Sequence, residues 1–256
     1  PLRDVYKRQG LDLALIVNDG PADVVAGVFT TNRVCAAPVQ WSRHATADHK
    51  ARAVIVNAAV ANACTGIDGF ADCDITFSRV DSDACMSTND TVVAMASGAS
   101  GISLTGDELT DALTELCAIL ARQLVADAEG SHHDVKVTVT GAISTEAAVA
   151  VAREVTRSNL VKTAIAGNDP NWGRILAAIG CVPENVAPFD PDQVDVSIND
   201  IQICKAGGIG EDRNLVDMRP REVHIDIELH AGDAEAAVWT NDLTHQYVEE
   251  NSEYTS

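Results

Sequence analysis

A chain of 256 residues that is 46% hydrophobic is long enough to bury a sizeable core, as one large or two modest domains. Its 18 basic and 38 acidic residues give a formal charge of −20, a surface that repels phosphate backbones and anionic headgroups and so argues against nucleic-acid and membrane partners. Seven cysteines (Cys35, Cys64, Cys73, Cys85, Cys117, Cys181, Cys204) form no CxxC pair; the odd count argues against a metal cluster or disulfide framework and for a reducing cytoplasm, with each thiol a small buried hydrophobe.

The start, PLRDVYKRQ, has no initiator Met and carries three basic residues in nine positions. It lacks the apolar core of a signal peptide. It resembles a translated sequencing adapter, so residues 1–9 are set aside as a leader and the fold is read from Gly10. Strands are expected at LDLALIV, VVAGVFT and ARAVIVN, with NDGPAD a turn between the first two. CDITFSRV, 73–80, predicts another strand. STNDT, 87–91, predicts a helix start, since its side chains suit free helix N–H groups. No apolar run reaches a membrane span; the longest, AVIVNAAVA, is interrupted by Asn57.

TGDE (Thr105 to Glu108) fits a capping box, and Leu109, Leu113, Leu116, Leu120 and Leu124 recur at helical spacing, so a helix is predicted over 107–128 with Gly130 as its stop. DVKVTVTGA alternates as a half-buried strand with Val135, Val137 and Val139 on one face, and STEAAVAVAREVTRS returns to helical period. LVKTAIAG reads as a strand, NDPNWGR as a turn and ILAAIG as a short apolar segment. VDVSI, the turn residues Asn199 and Asp200, and IQICKAG form a hairpin pattern, followed by EVHIDIEL and AAVWT. The sum is a mixed α/β chain with helices over strand layers.

Some stretches invite chemistry. KAGGIGED is glycine-rich but lacks the Gly-Lys-Ser/Thr ending of a phosphate loop, and reads as a turn. His132 and His133 are adjacent, point in different directions and seldom share a metal, so they read as loop histidines. Glu129 falls in the last turn of the predicted helix, where a carboxylate opposes the dipole; it is either solvated or bound to something cationic, and the sequence leaves both open. Cys64 and Thr65, before Gly66, have the geometry of a nucleophile on a tight turn, but no partner base is visible by spacing and they read as the close of a strand-to-loop bend. In DPNWGRI a rigid turn and an aromatic anchor suffice, although Arg174 has the chemistry to meet a carboxylate.

Six dispersed motifs in order, AGVFTTNRVCAAPV, ARAVIVNAAVANACTG, STNDT, AEG at 128–130, DPNWGRI and NDLTHQYVEENSEYTS, resemble the ornithine acetyltransferase family, the bifunctional glutamate N-acetyltransferases of arginine synthesis. The resemblance runs from Gly10 to Ser256. It implies a layered α/β sandwich of the ornithine acetyltransferase and self-processing aminopeptidase type, a cytoplasmic enzyme, and a homo-oligomer or α/β hetero-oligomer. It implies acetyl transfer from N-acetylornithine to glutamate through a threonine freed by self-cleavage, whose own α-amine serves as base. No cofactor or metal is implied; acetyl-CoA is a co-substrate of the bifunctional members. Glu129, Asn251 and Ser256 match the family's substrate-binding positions.

The same resemblance exposes a seam. Between NACTG and the strand before STNDT the family carries a long segment with a Thr-Gly oxyanion element, a lysine and an Ala-Thr-Met-Leu nucleophile motif, where here only IDGFAD intervenes. NAAVANA also departs from the family's Asn-Ser-Gly-Asn-Ala-Asn-Ala at Ala58, Ala59 and Val60. No catalytic residue is therefore assigned. Residues 10–72 are expected to be the remnant of an α chain and 73–256 that of a β chain. The adapter-like start favours a misassembled gene as the seam's origin. The alternatives are a self-processing amidase or aminopeptidase of the same fold, or a non-catalytic module that binds an amino acid.

Overall fold

The computed structural model describes residues 13–57, 81–82 and 86–253. These fall into two compact units, one holding 13–57, 86–114 and 253, the other 81–82 and 115–252.

In the first unit β1 (Leu13–Val17) pairs antiparallel with β3 (Ala53–Asn57), and β2 (Val24–Phe29) with β4 (Thr91–Ala96). The turn between β1 and β2 is folded by Asn18, whose Oδ1 accepts from the Gly20 amide (3.0 Å) and whose Nδ2 donates to the Ala22 carbonyl (3.0 Å). Helix α1 (Ala37–Ala45) lies between β2 and β3 in sequence, and Cys35, Ala36, Val39 and Phe29 form a small cluster. The expected helix start at STNDT is not there. Ser87 Oγ accepts from the Asn89 amide (3.1 Å), the Asp90 carbonyl accepts from the Thr30 amide (2.8 Å), and Thr91 opens β4. Short polar side chains that cap helices fold local turns equally well, and the β-branched Thr-Val-Val that follows favours a strand.

Helix α2 (Gly106–Ala126) begins with the predicted box: the Thr105 amide donates to Glu108 Oε2 (2.8 Å) and the Glu108 amide to Thr105 Oγ1 (3.3 Å). It ends at Ala126, four residues before Gly130, and its buried residues are Ala121 and Val125, whereas Leu109, Leu116, Leu120 and Leu124 are exposed.

The second unit is a six-stranded mixed sheet in the order β10-β5-β9-β6-β7-β8. β5 (Asp134–Ala142) runs parallel to β9 (Glu222–Glu228) and antiparallel to β10 (Ala234–Asn241); β6 (Asp195–Ile198), β7 (Ile201–Lys205) and β8 (Gly208–Ile209) continue it. Three helices, α3 (Thr145–Arg157), α4 (Asn159–Ala166) and α5 (Trp172–Ile179), contribute to one core with this sheet. Val135, Val137, Val139, Ile225 and Ile227 alternate inward and meet Val151, Val155 and Ile175. The result is a layered α/β fold. LVKTAIAG, read as a strand, is α4: Ser158 Oγ caps it by accepting from the Val161 amide (3.3 Å), and Val161, Ala164 and Ile165 bury one face at helical spacing. ILAAIG likewise belongs to α5, capped by Asn171. Helix α6 (His245–Glu253) closes the described chain.

Candidate functional site

Glu129 lies not in the last helical turn but in the tight turn after α2, so the helix-end argument for it does not hold as framed. The Ala128 amide donates to the Val125 carbonyl (3.2 Å) and the Ser131 amide to that of Ala128 (3.1 Å). Gly130 has φ 61°, and a Cβ there would stand 2.4 Å from the Tyr247 amide nitrogen. Only glycine lets this turn lie against the first turn of α6. Thr244 fastens the contact: its Oγ1 donates to the Gly130 carbonyl (2.6 Å) and accepts from the Tyr247 amide (3.1 Å), capping α6.

On α6, Asn251 Nδ2 donates to the Tyr247 carbonyl (2.9 Å) and to Glu129 Oε2 (3.2 Å). Both partners are acceptors, which fixes the amide nitrogen on this side. Glu129 and Asn251, 122 positions apart in sequence, are thus brought together, and both are exposed. Ser256 lies outside the described residues, as do Cys64, Thr65 and the predicted strand at 73–80.

The same segments are tied a second time. Asp242 Oδ1 accepts from the amides of His132 (2.9 Å) and His133 (3.1 Å), its Oδ2 lies 2.8 Å from His133 Nδ1, and His133 Nε2 lies 3.0 Å from the Met218 carbonyl oxygen. His132 is an exposed loop residue, as expected; His133 is instead a buried anchor. A further knot gathers Asp81 and Ser82. Arg157 Nε donates to Asp81 Oδ2 (2.7 Å), Thr240 Oγ1 to the Asp81 carbonyl (2.6 Å), and buried Lys162 Nζ to the Ser82 carbonyl (2.6 Å), while Ser82 Oγ bonds Asn241. No periodicity or spacing announces either knot.

Other stretches prove structural. Arg174 Nη1 donates to the Leu160 carbonyl (2.7 Å) and to Thr163 Oγ1 (3.3 Å), joining α5 to α4. KAGGIGED turns at Ala206 and Gly207, both at positive φ, with the Ala206 amide donating to Asp195 Oδ1 (2.7 Å). Burial pushes the Asp195 carboxyl up, but that amide and His230 outweigh it and hold it below its ordinary range. Burial likewise pushes the Cys204 thiol up. Cys35 and Cys204 are buried as expected, but Cys181 is exposed, with Sγ toward the Ala177 carbonyl (3.4 Å). Among the described residues no group of three or more His, Cys, Asp or Glu is placed to hold a metal, and no helix is long and apolar enough to cross a membrane.

The ArgJ family model matches residues 3–76 and 72–256, two pieces that meet at 72–76. The arginine biosynthesis bifunctional protein ArgJ of Bifidobacterium longum is 40% identical over 366 aligned residues, covering 96% of this chain and 94% of that protein. The protein of the same name from Streptomyces coelicolor is 37% identical, with the same coverages. The crystal structure of arginine biosynthesis bifunctional protein ArgJ from Bacillus halodurans matches with a TM-score of 0.64 and 35% identity over 70% of this chain and 87% of that one. Since 96% of 256 residues is about 246, about 120 of the 366 aligned positions have no residue of this chain opposite them. The break in the family match at 72–76 falls where the sequence showed its seam, beside IDGFAD. A match of this extent, with relatives at this identity, makes the chain a member of the ArgJ family.

Proposed function

We propose that this chain is the amino-acid-holding frame of an arginine-biosynthesis acetyltransferase, and that it performs no acetyl transfer itself because the segment bearing the threonine nucleophile is absent. The family's function is glutamate N-acetyltransferase and ornithine acetyltransferase activity, with acetyl passing from N-acetylornithine to glutamate. Glu129 would hold the substrate's amino group, with Asn251 and Ser256 as further substrate contacts. The observation that carries this is the 3.2 Å bond from Asn251 Nδ2 to Glu129 Oε2. Asn251 engages one carboxylate oxygen, and Oε1 has no hydrogen bond among the described residues. An ammonium, with three donors and no acceptor, suits an exposed carboxylate of this kind. The charge of −20 favours the approach of a cationic amino acid such as ornithine.

The reading includes a cytoplasmic protein that uses no cofactor, assembled as a homo-oligomer or α/β hetero-oligomer. Acetyl-CoA would enter as a co-substrate only in an enzyme with its nucleophile segment intact. Calorimetric titration with ornithine tests the site. Saturable binding is expected, weakened about tenfold in Glu129→Gln, the equivalent of one charge-assisted hydrogen bond. Equal affinity in the variant, or no binding by the folded chain, overturns the assignment.

A further inference from the structure

The β1–β3 ribbon is apolar at nearly every position, and most of its described side chains are exposed. Leu15, Ile16 and Val17 are 61%, 52% and 54% exposed, and Val56, opposite Ala14, is 52% exposed. Consecutive strand residues face opposite ways, so three exposed neighbours leave both faces uncovered. A continuous apolar run is the composition of a strand covered on both faces, and LALIV and AVIVN are such runs. Two strands with exposed apolar faces are marginal in water on their own. Among the described residues, 11 of the 21 exposed large hydrophobics lie in the first unit, the smaller of the two.

The family match points to a stretch of the right kind. The break in the family match, 72–76, comes 15 residues after β3 ends and 15 before β4 begins. The alignment with the Bifidobacterium longum relative holds about 120 positions without counterpart here, and 72–76 is where the family match divides. We propose that the β1–β3 ribbon is a docking surface for that stretch and accepts it in trans. A separate polypeptide would lay apolar side chains over the exposed faces. This rests on strand chemistry and the alignment break, not on the amino-acid site proposed above, and its readout is association rather than ornithine binding or turnover.

The test is co-production of the 256-residue chain with the roughly 120-residue stretch of the Bifidobacterium longum relative that has no counterpart here. The complex is read by light scattering after size-exclusion chromatography, and bare apolar surface by a hydrophobic dye. A one-to-one complex with reduced dye binding is expected. Ile16→Lys should weaken it at least about tenfold, because a lysine facing an apolar cover is desolvated without a partner. Ile209→Lys, at an 86% exposed position of the second unit, should leave it unchanged. Absence of a complex overturns the proposal, as does a complex equally sensitive or insensitive to both substitutions. Self-association of the chain through Ile16 that the stretch does not displace would assign the surface to a second copy instead, and overturn it too.

Discussion

Replacing Gly130 by alanine probes the candidate site and the fold together. The glycine holds φ 61°, where a non-glycine residue costs roughly 1–2 kcal/mol. The new Cβ would stand 2.4 Å from the Tyr247 amide nitrogen and 2.9 Å from the Gln246 carbonyl carbon, backbone atoms that move only if α6 moves. Separation of the turn from α6 breaks the Thr244–Gly130 bond (2.6 Å), a further loss of about 0.5–1.5 kcal/mol. The sum, roughly 1.5–3.5 kcal/mol, lowers the Tm by about 5–12 °C for a unit of this size. Thermal unfolding followed by tryptophan fluorescence reads it, since Trp172 packs against the core of that unit while Trp41 is exposed. Ornithine titration of the folded variant reads the second consequence, loss of affinity as Glu129 and Asn251 part. Gly173→Ala is the control: its nearest neighbour to a Cβ is 3.5 Å away, inside a helix, so it should stabilise by about 0.5–1 kcal/mol. A Gly130→Ala protein with the parent's Tm and affinity would refute the reasoning.

Two further outcomes follow from the same geometry. Asp242→Ala removes the acceptor of two amides and of buried His133, and should cost about 3–5 kcal/mol by denaturant unfolding; a loss below about 1 kcal/mol would show the knot is dispensable. The Glu108 carboxyl is held below its ordinary range by the Thr105 amide first and the Thr105 hydroxyl second. A depressed folded pKa adds stability above the unfolded value, about 4.3, and loses it as pH falls through the folded one. Amide exchange in the first turn of α2 should therefore quicken below about pH 4 in the parent and be pH-flat, after correction for intrinsic rates, in Glu108→Ala; identical profiles would contradict the box's role.

Elements whose pattern is local were legible in the sequence. The box at Thr105 and Glu108, the alternation of Val135, Val137 and Val139, and the Asn199–Asp200 hairpin, with φ 47° and 66°, all stand in the structure. LVKTAIAG was misread because β-branched residues at 161, 163 and 165 carry strand propensity, while the Ser158 cap and one buried helical face decide otherwise. STNDT failed for the opposite reason, since the pairing of β4 with β2 overrides a good cap. The leucine stripe of α2 marked the helix but not its buried face, which is set by Ala121 and Val125. At the site, Asn251 came from a family motif alone, and Glu129 from a motif and from a helix-end position that the structure moves into the turn after α2. His133 with Asp242, separated by 109 residues, left no local signal, and neither did Lys162 on Ser82.

The central claim, an acetyltransferase family chain that lacks its nucleophile segment, is tested most directly by incubating the purified 256-residue protein with N-acetylornithine and glutamate and following N-acetylglutamate and protein mass by mass spectrometry. The account predicts neither product nor acetyl adduct from a folded protein that still binds ornithine. Product together with a transient adduct would contradict it, and would make Cys64 and Thr65 the residues to substitute next.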